Sequence, residues 1–126
     1  MHTQGFSVKD SGQPVKRYCQ FLSLKDDSEL IRQYRQAHDK EHFWQEIGQG
    51  IRQVGILDMQ IFIHENHLVM IVEAPLDFDW DTAMARLAQL PRQQEWEDHV
   101  AQFQQCADGA TSDQKWHLME RIFHLY

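Results

Sequence analysis

Two apolar runs, Ile56 to Ile63 and Leu68 to Ala74, stand four residues apart and carry apolar side chains on both faces. Each is too short for a core helix and rich in β-branched residues, so each predicts a strand. The spacer His64-Glu65-Asn66-His67 makes the pair a β-hairpin. In a one-sided antiparallel sheet, alternate residues would be polar. Here LDMQIFI and LVMIVEA leave neither face for water. Helices of one small domain can cover one face only, and an identical subunit is expected to cover the other. A pocket between the sheet and that cover would be faced by Gln60, Glu73 and Glu120.

The flanking segments give the hairpin its setting. Residues 1–16 are polar, carry Gly5, Gly12 and Pro14 and show no period, which predicts a flexible tail ahead of one domain over 17–126. RYCQFLSLK predicts a first strand. Ser28 is expected as an N-cap of a long helix, or two, with Leu30, Ile31, Tyr34, His38, Phe43, Trp44, Ile47, Ile51 and Val54 near helical spacing and an interruption at Gly48 and Gly50. Pro75 closes the hairpin, and DTAMARLAQL and PRQQEWEDHVAQFQQ predict two further helices, with Pro91 in the first turn of the second. The loop CADGATSDQK then leads to a last strand, WHLMERIFHLY. The order β-α-β-β-α-α-β is that of an α+β, ferredoxin-like split βαβ fold with an antiparallel sheet. Doubled by a second copy, it becomes a dimeric α/β barrel.

A formal charge of -7 with singly scattered Lys and Arg argues against a nucleic-acid partner, which needs a basic stripe. No apolar run reaches bilayer length and the first residues lack the apolar middle of a signal peptide, so the expectation is a cytoplasmic chain with no membrane association. Cys19 and Cys106 have no CxxC or histidine partner at ligand spacing, so neither a disulfide framework nor a zinc knuckle is expected.

Chemistry concentrates between Tyr34 and Trp44. One helical turn apart, a phenol and an imidazole at Tyr34 and His38 can converge on a small polar ligand, the imidazole exchanging protons near neutrality. Read alone, the pair suits a partly buried structural contact better than a site. His38-Asp-Lys-Glu41-His42 fits a zinc-peptidase pattern, but such a site needs a further distant ligand on a larger scaffold, and no metal is expected. Among Trp44, Trp80, Trp96 and Trp116, Trp96 sits amid Gln93, Gln94, Glu95, Glu97 and Asp98, where it is either the anchor of a solvated helix or a flat wall for a sugar ring. Glu73 and Glu120 are the carboxylates on strands flanked by apolar residues, and His64, His67, His99, His117 and His124 are given no role.

Taken in order, the first strand, Tyr34-x-x-x-His38, Trp44-x-Glu46, the Gly55-led hairpin ending in Val72-Glu73, Gln94-Glu95-Trp96 and Met119-Glu120-Arg121-Ile122-Phe123-His124-Leu125 resemble the L-rhamnose mutarotase family across Tyr18 to Leu125. The resemblance implies a homodimer without cofactor that interconverts the anomers of L-rhamnose or L-fucose. It implies His38 as proton donor, Tyr34 as a substrate-binding residue and Trp96 in the sugar pocket. Met59 stands where the family has a substrate-binding tyrosine, and Glu97 where it has a second tryptophan, so both fall at substrate-binding positions. His38 precedes Trp44 by two residues more than in the family pattern, which makes His42 the alternative acid or base. Two other classes fit such a fold: a cofactor-free or haem-dependent monooxygenase, and a non-catalytic sugar-binding module.

Overall fold

The computed structural model describes residues 4–126. Its elements are β1 (Val15–Ser23), α1 (Ser28–Ala37), α2 (Gln45–Gln53), β2 (Asp58–His64), β3 (His67–Pro75), α3 (Trp80–Leu87), α4 (Gln93–Ala101), α5 (Ser112–Lys115) and β4 (His117–Leu118). The hairpin forms as expected, with a tighter turn: Glu65 and Asn66 alone connect the strands, Glu65 at φ 56. Asn66 then ties the turn to β1, its side chain and backbone oxygen both bonding Leu24.

All pairings in the sheet are antiparallel and the spatial order is β2-β3-β1-β4, the ferredoxin-like arrangement. One face packs on the helices through Leu22, Leu68, Met70 and Val72 in the sheet and Ile47, Leu87, Trp96 and Val100 from α2 to α4. The other face presents Cys19, Phe21, Phe62, Val69 and Ile71, all only half-buried. Phe6 packs edge-on against Phe62 there, at 5.6 Å between centroids.

Local signals explain most boundaries. Asp27, in extended backbone, caps α1 by accepting from the amides of Glu29 and Leu30, so Ser28 is the first helical residue and not the cap. The long helical stretch divides: α1 stops at Ala37, His38 is its C-cap, and α2 begins after Trp44. Gly50 lies where α2 meets Leu87 and Leu90, and an added Cβ would stand 3.3 Å from Leu90 Cδ1. Asp79 caps α3 through the Thr82 amide.

Further expectations change. Pro91 precedes α4 instead of opening it, because Arg92 at the cap takes a left-handed φ of 65. The loop after Cys106 contains α5, closed by a capping box between Thr111 and Gln114. The last strand is short: β4 pairs only His117 and Leu118 with β1, the Met119 amide bonds the Cys19 carbonyl, and the chain then leaves the sheet. Beyond it Ile122, Phe123, Leu125 and Tyr126 are exposed, Ile122 by 92% and Tyr126 by 98%. Among the described residues their apolar side chains stay largely uncovered. At the other terminus β1 starts at Val15, two residues inside the segment expected as a tail; of that segment, residues 1–3 lie outside the described residues.

Candidate active site

The helix side of the sheet encloses a cavity of about 580 Å³, within the range that holds a small ligand. It therefore lies between sheet and helices, not between two sheets as the apolar strand faces had suggested. Ile47 and Ile51 of α2, Met59 and Ile61 of β2, Met70 of β3 and Val100 of α4 make its apolar walls. Tyr34, His38, Trp96, Glu97 and Gln104 add the polar and aromatic groups.

Tyr34 and His38 meet at the end of α1, with ring centroids 4.4 Å apart. Because His38 is the cap residue, its ring folds back and Nδ1 sits 2.8 Å from the Tyr34 carbonyl. A carbonyl only accepts, so Nδ1 carries a proton and Nε2 is the nitrogen left for exchange. Burial lowers the His38 pKa from its ordinary 6.5, since an imidazolium here loses its hydration. Burial likewise holds the Tyr34 phenol well above its ordinary range, and it stays protonated.

Trp96 joins the two readings that its neighbours had left open. It is an anchor, 6% exposed, and it lines the cavity. His38, Phe43 and Trp44 pack edge-on around it at 5.2 to 5.3 Å. The Arg92 guanidinium covers Trp44 from outside, 4.2 Å from the ring centroid. Trp80 is remote from the cavity, packed on Tyr18 and bonded to Asp113.

Glu97 is the buried carboxylate of the cavity, whose lining also includes Asp58 at the start of β2. Gln93, one turn earlier on α4, donates to Oε2 at 2.5 Å, and Lys115 Nζ lies 3.0 Å from Oε1 while donating to the Glu97 carbonyl at 2.5 Å. The Lys115 side chain is 0% exposed. Burial pushes the Glu97 pKa up from the ordinary carboxylate value and the Lys115 ammonium opposes it. Gln93 was within reach of sequence reasoning, at i,i+4 spacing from Glu97. Lys115 was not, because α5 is too short to show a period.

The remaining candidates divide. Met59 lines the cavity. Glu73 does not: it lies on the opposite sheet face and pairs with Arg17, whose Nε is 3.1 Å from Oε2. Gln60 shares that face and bonds Asp58. Glu120 is on the exposed C-terminal arm. His42 is exposed and bound to Asp39 at 2.7 Å, away from the cavity. The two histidines of the zinc-peptidase pattern thus take separate partners, and no group of three metal-ligating side chains occurs among the described residues. Lys9, from the segment expected as a tail, reaches the cavity edge with its Nζ 3.4 Å from the Leu57 carbonyl.

A cavity of this size lined by an imidazole, a phenol, a buried carboxylate and indole rings suits proton transfer on a small polyhydroxylated ring, and the chain is by architecture a ferredoxin-like α+β domain built around such a pocket. The chain belongs to the L-rhamnose mutarotase family, whose model matches residues 17–125. It is 36% identical over 111 residues to the L-fucose mutarotase of Xanthomonas campestris pv. campestris, covering 88% of this chain and 89% of that one. A UPF0734 protein of Dictyostelium discoideum is 32% identical over 114 residues, covering 87% and 90%. Among solved structures, the L-rhamnose mutarotase of Formosa agariphila superposes with a TM-score of 0.65 at 21% identity, over 88% of this chain and 99% of the other, and shares the fold.

Proposed function

We propose that this chain is a mutarotase that interconverts the α and β anomers of a 6-deoxy-L-hexose, L-fucose or L-rhamnose, with His38 and Glu97 as its acid–base pair. The observation that carries the proposal is that Tyr34, His38, Trp96 and Glu97 face one cavity of sugar size. Anomers interconvert by opening the ring, turning the aldehyde carbon and closing on its other face. In opening, the C1–O5 bond breaks as O5 gains a proton, and C1=O1 forms as the O1 hydroxyl loses one. His38 Nε2 delivers the proton to O5 and Glu97 takes the proton of O1. Closure reverses both, so nothing is consumed. Burial lowers the proton affinity of His38 and raises that of Glu97, which brings the two together and makes sharing one proton between them inexpensive. Tyr34 positions a sugar oxygen, and Trp96 and Met59 pack on the apolar C–H and methyl surfaces.

Similarity to an L-fucose mutarotase favours L-fucose as the first sugar to test. The uncovered apolar sheet face and the exposed arm after Met119 support a homodimer in which a second copy covers them. No helix among the described residues is long and apolar enough to cross a membrane. We read the enzyme as cytoplasmic. The test is exchange NMR between anomers of L-fucose and L-rhamnose at micromolar protein. Acceleration of at least one is expected, and none for either refutes the reading.

A further inference from the structure

Buried polar atoms in folded proteins nearly always have partners, so one without a partner on the wall of a cavity calls for a reason. Gln104 is 3% exposed, lines the cavity, and its side-chain oxygen makes no hydrogen bond to the protein. Ser11 and Gln20 have similar atoms but do not line the cavity. The nitrogen end of the Gln104 carboxamide lies beside the Tyr34 hydroxyl, where as a donor it opposes the rise that burial gives the phenol's pKa. Turning the amide over would put its nitrogen where its oxygen is, so one polar atom stays unanswered in either orientation.

Backbone bonds fix the chain segment that carries this side chain. Gln104 forms a bridge with Leu24 just beyond the end of β1, and its own amide bonds the Ala101 carbonyl at 3.1 Å. On either side, Lys25 donates to the Phe103 carbonyl and Gln105 to the Ser23 carbonyl, both at 2.9 Å. The carboxamide is thus carried by a segment fastened to the end of β1, beside the phenol that the proposed reaction uses. A group held so firmly with one hydrogen-bonding position open is organised for a ligand.

We infer that Gln104 is a substrate-binding residue whose carboxamide receives one sugar hydroxyl next to the Tyr34 hydroxyl. A hydroxyl both donates and accepts, so it satisfies either orientation of the amide. An apolar methyl at that position would leave the amide unanswered, which directs the 6-methyl of a deoxy sugar to the Met59 and Ile61 wall. The inference rests on the mutarotase reading for the kind of ligand, and it adds a specificity determinant on a segment between α4 and α5.

The experiment replaces Gln104→Leu, close in volume and unable to hydrogen-bond. Tryptophan fluorescence titration with L-fucose, L-rhamnose and their monodeoxy analogues reads binding, and exchange NMR reads KM and kcat. Expected are Kd and KM raised about tenfold, kcat changed by no more than about twofold, and one monodeoxy sugar bound equally by both proteins. Unchanged binding of every sugar, or the same loss for every analogue, overturns the inference. Should Gln104→Leu not fold by circular dichroism, Gln104→Asn shortens the reach by one methylene and must give the same pattern. Wild-type protein that binds sugars without exchanging their anomers refutes the mutarotase reading and leaves Gln104 to be judged by the titrations. Wild-type exchange with an unaltered Gln104→Leu refutes only the inference, and no binding of any sugar refutes both.

Discussion

Replacing Lys115→Met removes the buried ammonium that pairs with Glu97 and leaves the carboxylate its hydrogen bond from Gln93. Methionine fills most of the lysine volume, so the perturbation is electrical more than steric. Both side chains are buried, at 0% and 6% exposure, and breaking such a pair by removing one partner costs about 3–5 kcal/mol. For 126 residues the entropy of unfolding is about 0.26 kcal/mol/K, so Tm should fall by about 11–19 °C. Thermal unfolding followed by circular dichroism at neutral pH measures it. The sign with pH follows from the raised Glu97 pKa. The carboxyl's contribution is present below its unfolded value near 4.5 and is lost as pH rises through the higher folded value. Without Lys115 that folded value rises further, so the deficit of the variant should be largest at neutral pH and shrink on acidification. Adding Glu97→Gln to Lys115→Met removes the stranded charge and should recover most of the loss. A single variant within about 3 °C of wild type, or a double variant no more stable than the single, refutes the view that Lys115 compensates a buried carboxylate.

His38→Asn should slow anomer exchange by about 10²–10⁴-fold, while His42→Asn, altering an exposed residue outside the cavity, should leave the rate unchanged; the reverse result in exchange NMR transfers the acid–base role to His42. Because burial lowers the His38 pKa from 6.5, the unfolded chain binds the extra proton first as pH falls. Stability should therefore decline from about pH 6.5 downwards, and chemical denaturation across that window should show less decline in His38→Asn. Deleting residues 120–126 should convert a dimer to a monomer in sedimentation velocity, since the arm exposes Ile122, Phe123, Leu125 and Tyr126; a truncated protein of unaltered mass would show that the arm takes no part in assembly.

The sheet was legible because a strand needs only local information, and period-two patterning with a short polar spacer states it plainly. β2 and β3 match their expected runs to within a few residues, and the order of elements follows from them. The last strand was misjudged for a physical reason. Apolar residues on both faces of WHLMERIFHLY report how strongly they avoid water but not which surface removes them from it, and β1 accepts only the first of them. The same ambiguity moved the expected pocket to the wrong side of the sheet. Strands apolar on both sides were read as one covered face and one pocket face, whereas the cavity is under the helices, where Met59 and Met70 leave room between Ile47 and Trp96.

The polar half of the site was hidden for a different reason, and that reason bears on how the enzyme works. Tyr34 and His38 are neighbours in the chain, so their meeting is a matter of helical spacing and could be read directly. Glu97 and Lys115 are 18 positions apart across an irregular loop, and Gln104 reaches the cavity from a segment whose backbone is fastened to the end of β1. Glu97 lies on α4 and was named through the resemblance, whereas Lys115 and Gln104 come from the segment after α4, where no local pattern announces them. An imidazole supplied by α1 and a carboxylate supplied by α4 therefore sit on parts of the structure that the core joins but the sequence does not. Tyr34 and His38 come from α1 and its cap, and the segment from Gln93 to Lys115 carries Glu97 together with the partners that make a buried carboxylate tolerable there. A tryptophan in that position would need neither Gln93 nor Lys115 as a partner. Glu97, Gln93 and Lys115 are thus a linked set of three residues, and exchanging Glu97 alone for tryptophan would strand Lys115 as Lys115→Met strands Glu97.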